Sequence, residues 1–212
     1  MRHRYIPLLV LWCLSLVTSC SDDNDTWSAP VQLDYLELLT DASGRTALAV
    51  TDEGDTLSVS NPLDGLKADT AYRYVAVNER LGSSLRLSSC APAIAPIPTP
   101  MEGMEEKTDS VEVVSIWRGG RYINLVVQME AQDKAHYFGF KHKGVTDKPD
   151  GSRTAQVLLY HNQNGDVKAF HRTVYLSCPL KAWTDTLRQG RDSVAIRINV
   201  KDKGMQTWQF PL

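Results

Sequence analysis

From residue 31 to its end the chain alternates apolar and polar side chains in short runs, each cut off by glycine, proline, asparagine or aspartate. Side chains on a strand point to opposite faces in turn, so this two-residue period reads as half-buried β-strand. No stretch there keeps the longer period of an amphipathic helix. The first runs are 34–39, 45–50, 56–60, 71–78 and 84–89, with Asp52-Glu53-Gly54-Asp55 as a hairpin loop between the second and third. Five short strands in about sixty residues predict a small OB-like barrel over 31–90.

Residues 91–107 read as a Pro-rich linker, because four prolines fall between 91 and 100 and each withholds a backbone donor. From 108 to 212 the alternation is cleaner. Ile123, Leu125, Val127 and Met129 mark a core face against Asn124, Gln128 and Glu130. Similar runs at 111–117, 136–142, 155–161, 167–176, 192–201 and 206–210 complete a predicted β-sandwich. Arg118-Gly119-Gly120-Arg121 and Lys148-Pro149-Asp150-Gly151 are turns, and Asn164-Gly165 predicts a tight hairpin joining 155–161 to 167–176. Only 181–189 has room for a helical turn. The expected fold is all-β, a small N-terminal OB-like barrel followed by a C-terminal β-sandwich.

The first nineteen residues are different in kind. Arg2 and Arg4 precede an apolar run from 5 to 17, shorter than the roughly 20 residues a membrane-spanning helix needs, so 1–19 reads as a signal peptide. Thr18-Ser19-Cys20 resembles the lipobox of bacterial lipoproteins. The resemblance implies that the Cys20 thiol is acylated, becomes the first residue of the mature chain and makes the lipid bilayer a partner. The run Ser21, Asp22, Asp23, Asn24, Asp25 opens an acidic tether over 20–30 and resembles the export signal of Bacteroidetes surface lipoproteins. That implies a lipid-anchored place on the outer membrane at the cell surface, with its periplasmic face as the alternative.

Composition is that of a globular protein, 42% hydrophobic and 23% charged. Losing Arg2 and Arg4 with the leader leaves 21 basic and 25 acidic residues, a net charge of −4 that argues against nucleic acid as a partner. The charge is uneven: five basic and nine acidic residues in 31–90, fifteen basic and ten acidic in 108–212. With Cys13 removed and Cys20 acylated, Cys90 and Cys178 are the remaining thiols, and an oxidising compartment permits a disulfide between them. Strand parity argues against it, since Cys178 aligns with Val174 and Leu176 but Cys90 with Arg86 and Ser88.

Candidate chemistry is sparse. No nucleophile elbow, metalloprotease helix or phosphate-cradling glycine loop occurs, so neither catalytic residues nor a cofactor is expected. His136, His142, His161 and His171 could approach one another, but strand ends at the wet edge of a sandwich explain them without a metal. Asn162, Asn164 and Asp166 offer too few oxygens for calcium. Tyr72 and Tyr74 share parity and are candidates either for ligand contact or for the barrel core.

The run from Asp109 through Trp117, the glycine turn, Tyr122-Ile123-Asn124-Leu125, His136-Tyr137-Phe138-Gly139-Phe140 and His161-Asn162-Gln163-Asn164-Gly165-Asp166 resemble the C-terminal sandwich of the NigD-like lipoproteins of Bacteroidetes. The resemblance implies two β domains and no assigned activity. The expected function is a non-enzymatic binding or accessory module for a protein or glycan. The alternative, from the family's bacteriocin-associated locus, is an immunity-like lipoprotein that intercepts a toxin.

Overall fold

A computed structural model describes residues 31–100, 103 and 105–212. Residues 1–19, read as a signal peptide, and Cys20 and Ser21–Asp25 lie outside the described residues. Strands β1 (Val31–Thr40), β2 (Thr46–Val50), β3 (Thr56–Val59), β4 (Ala71–Leu81) and β5 (Ser84–Pro92) close into a barrel in the order β1-β2-β3-β5-β4. Only β3 and β5 run parallel, as an OB-like barrel requires. Leu36, Leu38, Ala49, Leu57, Val59, Ala76, Leu85 and Leu87 fill it. β1 is buried on both faces, because Tyr35 and Glu37, opposite Leu36 and Leu38, are covered by the second domain.

The second domain comprises β6 (Thr99–Pro100), β7 (Glu112–Gly119), β8 (Tyr122–Ala131), β9 (Tyr137–Asp147), β10 (Arg153–Asn162), β11 (Phe170–Pro179), β12 (Ser193–Val200) and β13 (Gly204–Pro211). A five-stranded sheet, β13-β12-β10-β9-β6, faces a three-stranded one, β11-β8-β7. Between them lies a core that includes Ile123, Leu125, Val127, Phe140, Val157, Leu176, Ile196 and Ile198. The helical turn is realised as a 3-10 helix at Leu180–Trp183, which buries Leu180 and Trp183 against this core.

The Asn-Gly turn forms, with Asn164 and Gly165 at φ 57° and 63°, but it joins no hairpin. Both edges of β10 are already occupied, by β9 and by β12 in parallel, so the chain crosses to the other sheet and β11 pairs with β8. Local turn chemistry sets the bend, and competition for strand edges decides the partner.

The proline-rich stretch is hydrogen-bonded to both sheets. Ile94 donates to the Tyr175 carbonyl and accepts from Ser177 N–H at the edge of β11, and β6 then pairs with β9. Prolines are tolerated at such edges because one side of the strand needs no donor. Further on, residues 107–111 wedge between the diverging ends of β10 and β12, bonding the backbone of His161 on one side and of Asn199 and Lys201 on the other.

Candidate functional site

Barrel and sandwich meet across a buried polar seam centred on Arg73, whose side chain is 3% exposed. On β4 it shares parity with Val75 and Val77, pointing away from the barrel interior and toward the outer face of the three-stranded sheet. Its Nη2 donates to Asp52 Oδ1 at 2.5 Å and to Asn124 Oδ1 at 3.0 Å, and its Nε donates to Ser177 Oγ at 3.2 Å. Asn124 Nδ2 donates to the second Asp52 oxygen at 2.6 Å, and Ser177 donates to Asn124 at 2.7 Å, so the polar atoms close on one another. The guanidinium also lies over the Tyr122 ring, 4.1 Å from its centroid.

Flanking contacts extend the seam. Tyr35 donates to the Leu125 carbonyl at 2.8 Å, and Glu37 accepts from Arg121 and from the Tyr122 hydroxyl, each at 2.7 Å. Burial and the Glu37 hydrogen bond push the Tyr122 phenol up to about 12. The glycine turn has a further reason here: a Cβ on Gly119 would stand 2.1 Å from Asp52 Oδ2, so only glycine lets the β2–β3 loop approach.

Along one side the seam opens into a cleft of about 330 Å³, bordered by Leu33, Asp34 and Glu53 of the barrel and by Trp117, Arg118 and Gly120 of the sandwich. Leu33 is 61% exposed and Trp117 36%, which sets apolar surface on both walls. Tyr35 meets the Trp117 ring edge-on, at 5.4 Å between centroids and 80° between planes, and fixes the indole. Arg118 gives one N–H to the Pro211 carbonyl at 2.7 Å, and Asp34 accepts from Asn78 at 3.0 Å. Asp52 is committed to Arg73. Neither Arg73 nor Trp117 was a predicted site residue, although a lone arginine within the apolar parity of β4 is a readable mark of a buried charge.

The histidines separate. His136 and His161 meet at 2.9 Å between Nδ1 and Nε2, and both are buried, whereas His142 packs edge-on to Trp183 at 5.8 Å between centroids and His171 is exposed. The wet-edge expectation therefore fails for His136 and His161, because the 107–111 wedge and the 163–167 loop cover them. His161 Nδ1 donates to the Asp109 carbonyl at 2.8 Å, and His136 Nε2 faces Asp166 Oδ2 at 3.3 Å. Burial lowers the His161 pKa.

Burial raises the Asp166 carboxyl, but the backbone N–H groups of Gln132, Lys134, Asp133 and Val167 outweigh it and hold it far below the usual range. A carboxyl depressed by folding adds stability that is present above its unfolded pKa, about 3.9, and lost as pH falls toward the folded value. Urea midpoints should accordingly hold from neutrality to about pH 4 and drop below it. Asp166→Asn should lower the midpoint at pH 7 and make that acid limb shallower. Asp192, depressed chiefly by the Arg188 side chain, contributes to the same limb, as do Asp41, Glu130 and Asp150, lowered chiefly by the side chains of Ser43, Lys201 and Ser152. No group of three His, Cys, Asp or Glu among the described residues is placed to hold a metal.

Tyr74 packs against the barrel core with Leu63 and Cys90, while the Tyr72 hydroxyl accepts from Lys67 N–H at 3.0 Å and its ring meets Tyr74 edge-on. Cys90 and Cys178 are both free thiols. Cys178 is enclosed in the sandwich core and Cys90 is half-buried on barrel strand β5, so the disulfide that chemistry permits is not formed; burial pushes both thiols up. Asn162 caps the turn by accepting from Asn164 N–H at 2.8 Å.

The model of the family described as the NigD-like C-terminal beta sandwich domain matches residues 95–212. No curated protein matches the chain. Among solved structures, a NigD-like immunity protein from Bacteroides caccae ATCC 43185 superposes with a TM-score of 0.68 at 23% identity, covering 87% of this chain and 99% of that one. A protein described as toxin-related from Parabacteroides distasonis ATCC 8503 gives 0.66 at 14% identity, covering 86% and 93%. One assigned as a lipoprotein from Bacteroides fragilis NCTC 9343 gives 0.56 at 14%, covering 85% and 96%. At these identities the likeness is one of fold.

Proposed function

This chain belongs to the NigD-like family, and from that premise we propose that it is a non-enzymatic binding module, lipid-anchored through Cys20 and facing outward from the outer membrane. The observation that carries the reading is the cleft beside the seam: a fixed indole and an exposed leucine on facing walls, set in a polar rim. A site built between two domains that are pinned together meets a ligand without first having to order itself. The acidic run after Cys20 supports surface export, and the solved relative assigned as a lipoprotein supports the anchor. The partner is an envelope protein or a glycan; the net negative charge disfavours nucleic acid.

Photo-crosslinking in intact cells tests this reading. A photoreactive residue at position 33 or 117 is expected to give a discrete adduct with the partner, and one at Lys203, in the exposed turn at the far end of β13 from Pro211, none. Equal labelling from all three positions would sink it.

A second reading is immunity-like: interception of a toxin at the same cleft. The descriptions of two solved relatives, one as an immunity protein and one as toxin-related, favour it. It requires that deleting the protein sensitise the producing cells to killing by a competitor's bacteriocin, and that a Trp117→Ala copy fail to restore protection.

A further inference from the structure

We infer that the free edge of β13 pairs with the same edge of a second copy of this chain, antiparallel about Thr207, so that two five-stranded sheets become one. The inference concerns a sheet edge and does not rest on the reading of the cleft.

A strand at the end of a sheet turns a row of backbone N–H and C=O groups outward, and folded chains normally close or blunt such rows. The barrel is closed and has no edge. In the sandwich, β7 carries a bulge at Val114, where its register with β8 shifts, between the charged Glu112 and Arg118. β11 is bonded by Ile94 at Tyr175 and Ser177 and carries His171 and Arg172 on the rest of its length. The larger sheet ends on one side at β6, two residues long and one of them proline. On its other side stands β13, eight residues in unbroken register with β12. Between Gly204 and Phe210 it holds no charge, proline or bulge, and no described strand pairs with its outer edge.

The direction of its backbone follows from one bond. Leu212 N–H donates to the Asp192 carbonyl at 3.0 Å, and bonded pairs recur at every second residue of an antiparallel ladder. Gln206, Trp208 and Phe210 therefore bond to β12, while Met205, Thr207 and Gln209 turn their N–H and C=O groups outward. Pro211 confirms the phase, because its carbonyl points away from β12 and accepts from Arg118 Nη1 at 2.7 Å. Proline has no N–H, so the free row ends there. Met205, Thr207 and Gln209 are all exposed.

This row is symmetric about Thr207. A two-fold axis there sets Thr207 opposite Thr207, and Met205 opposite Gln209 of the second copy, and each such pair exchanges both of its backbone hydrogen bonds. Facing threonines are a favourable cross-strand pair. The chain is net acidic, which opposes contact between copies in general, but this row brings no like charges together. A foreign strand would have to match the row, whereas a second copy matches it by symmetry. So short a seam buries less than a standard interface, and the pair is weak and exchanging. The anchor at Cys20 proposed above confines copies to one surface and raises their effective concentration.

Cysteine substitution in the full chain, in intact cells oxidised with copper phenanthroline and read on non-reducing gels, tests the register. Thr207→Cys should give a doubled chain well above the parent, whose Cys90 and Cys178 set the background. Its facing Cα atoms lie about 5.5 Å apart, within reach of a disulfide. Met205→Cys alone should stay at background, because its two copies lie roughly 14 Å apart, whereas Met205→Cys with Gln209→Cys should couple. Sedimentation of the full chain in detergent should show a monomer–dimer equilibrium. Thr207→Pro should weaken it at least about ten-fold, since the ring removes an outward donor and no bond to β12. A melting curve checks that this variant is folded. Lys203 faces Pro211 of the second copy, so a photoreactive residue there yields at most the doubled chain, which its mass separates from a partner adduct.

The inference is overturned if Thr207→Cys stays at the parent's background, or if Met205→Cys alone couples as well. It is overturned equally if only monomer sediments up to about 1 mM, or if folded Thr207→Pro associates as its parent does. A different protein trapped at Thr207→Cys in place of the doubled chain also overturns it, since the edge then serves a foreign strand.

Discussion

Replacing Arg73 with methionine is expected to cost the folded chain about 3–5 kcal/mol, the usual loss when one partner of a buried ion pair is removed. The substitution keeps most of the side-chain volume but leaves Asp52, only 14% exposed, with no opposing charge. It also takes donors from Asn124 and Ser177 and the cation from above Tyr122. These groups lie between the domains, so the loss falls on their docking more than on either core. Urea unfolding followed by far-UV circular dichroism should show the midpoint falling. With docking weakened, the single transition should broaden or split as barrel and sandwich unfold separately. Adding Asp52→Asn should recover part of the loss, since the stranded charge is then gone. A drop below about 1 kcal/mol would mean that the seam is no more than a surface salt bridge, contrary to its burial.

Changing Cys20 to alanine is expected to move the protein wholesale from the membrane fraction to the soluble one. Each buried methylene contributes about 0.8 kcal/mol, so a diacylglycerol with a further chain holds a domain almost irreversibly, whereas a single chain would leave binding reversible. No helix among the described residues is long and apolar enough to cross a membrane in its place. Fractionation with mass spectrometry of the N-terminal peptide checks this result. Retention of Cys20→Ala in membranes would demand another anchor, and an unmodified thiol on the parent would remove the lipoprotein reading altogether. The described contacts of the seam run through Arg73, Asp52, Asn124 and Ser177, so Cys20→Ala should leave the urea midpoint unchanged, which separates it from the Arg73 variant.

The strand pattern was legible because it depends on one local fact, that successive side chains point to opposite faces. Ile123, Leu125 and Val127, or Val194, Ile196 and Ile198, declare a core face whatever lies opposite, and all six are fully buried. Turn residues were equally local, and Asn164 and Gly165 adopt the expected left-handed backbone. The pairing across that turn was not legible, because it depends on which strand edges are already occupied when β11 arrives.

The site was hidden for a similar reason. Trp117 on β7 and Leu33 on β1 lie 84 positions apart, and nothing in either run announces the other. Alternation predicts a wet outer face for β1 and β4, yet Tyr35, Glu37 and Arg73 on those faces are buried. Covering them is the work of another domain.

What the chain determines by itself is therefore what neighbouring residues can settle: where strands run, where they turn, and that a barrel precedes a sandwich. Tertiary structure alone decided that the outer faces of β1 and β4 dock on the three-stranded sheet, that Arg73 is the pin, and that a cleft opens where the two surfaces diverge. The physical reason is that a period-2 pattern records how each strand sorts its own two faces. It carries no information about which distant surface comes to lie against the polar one.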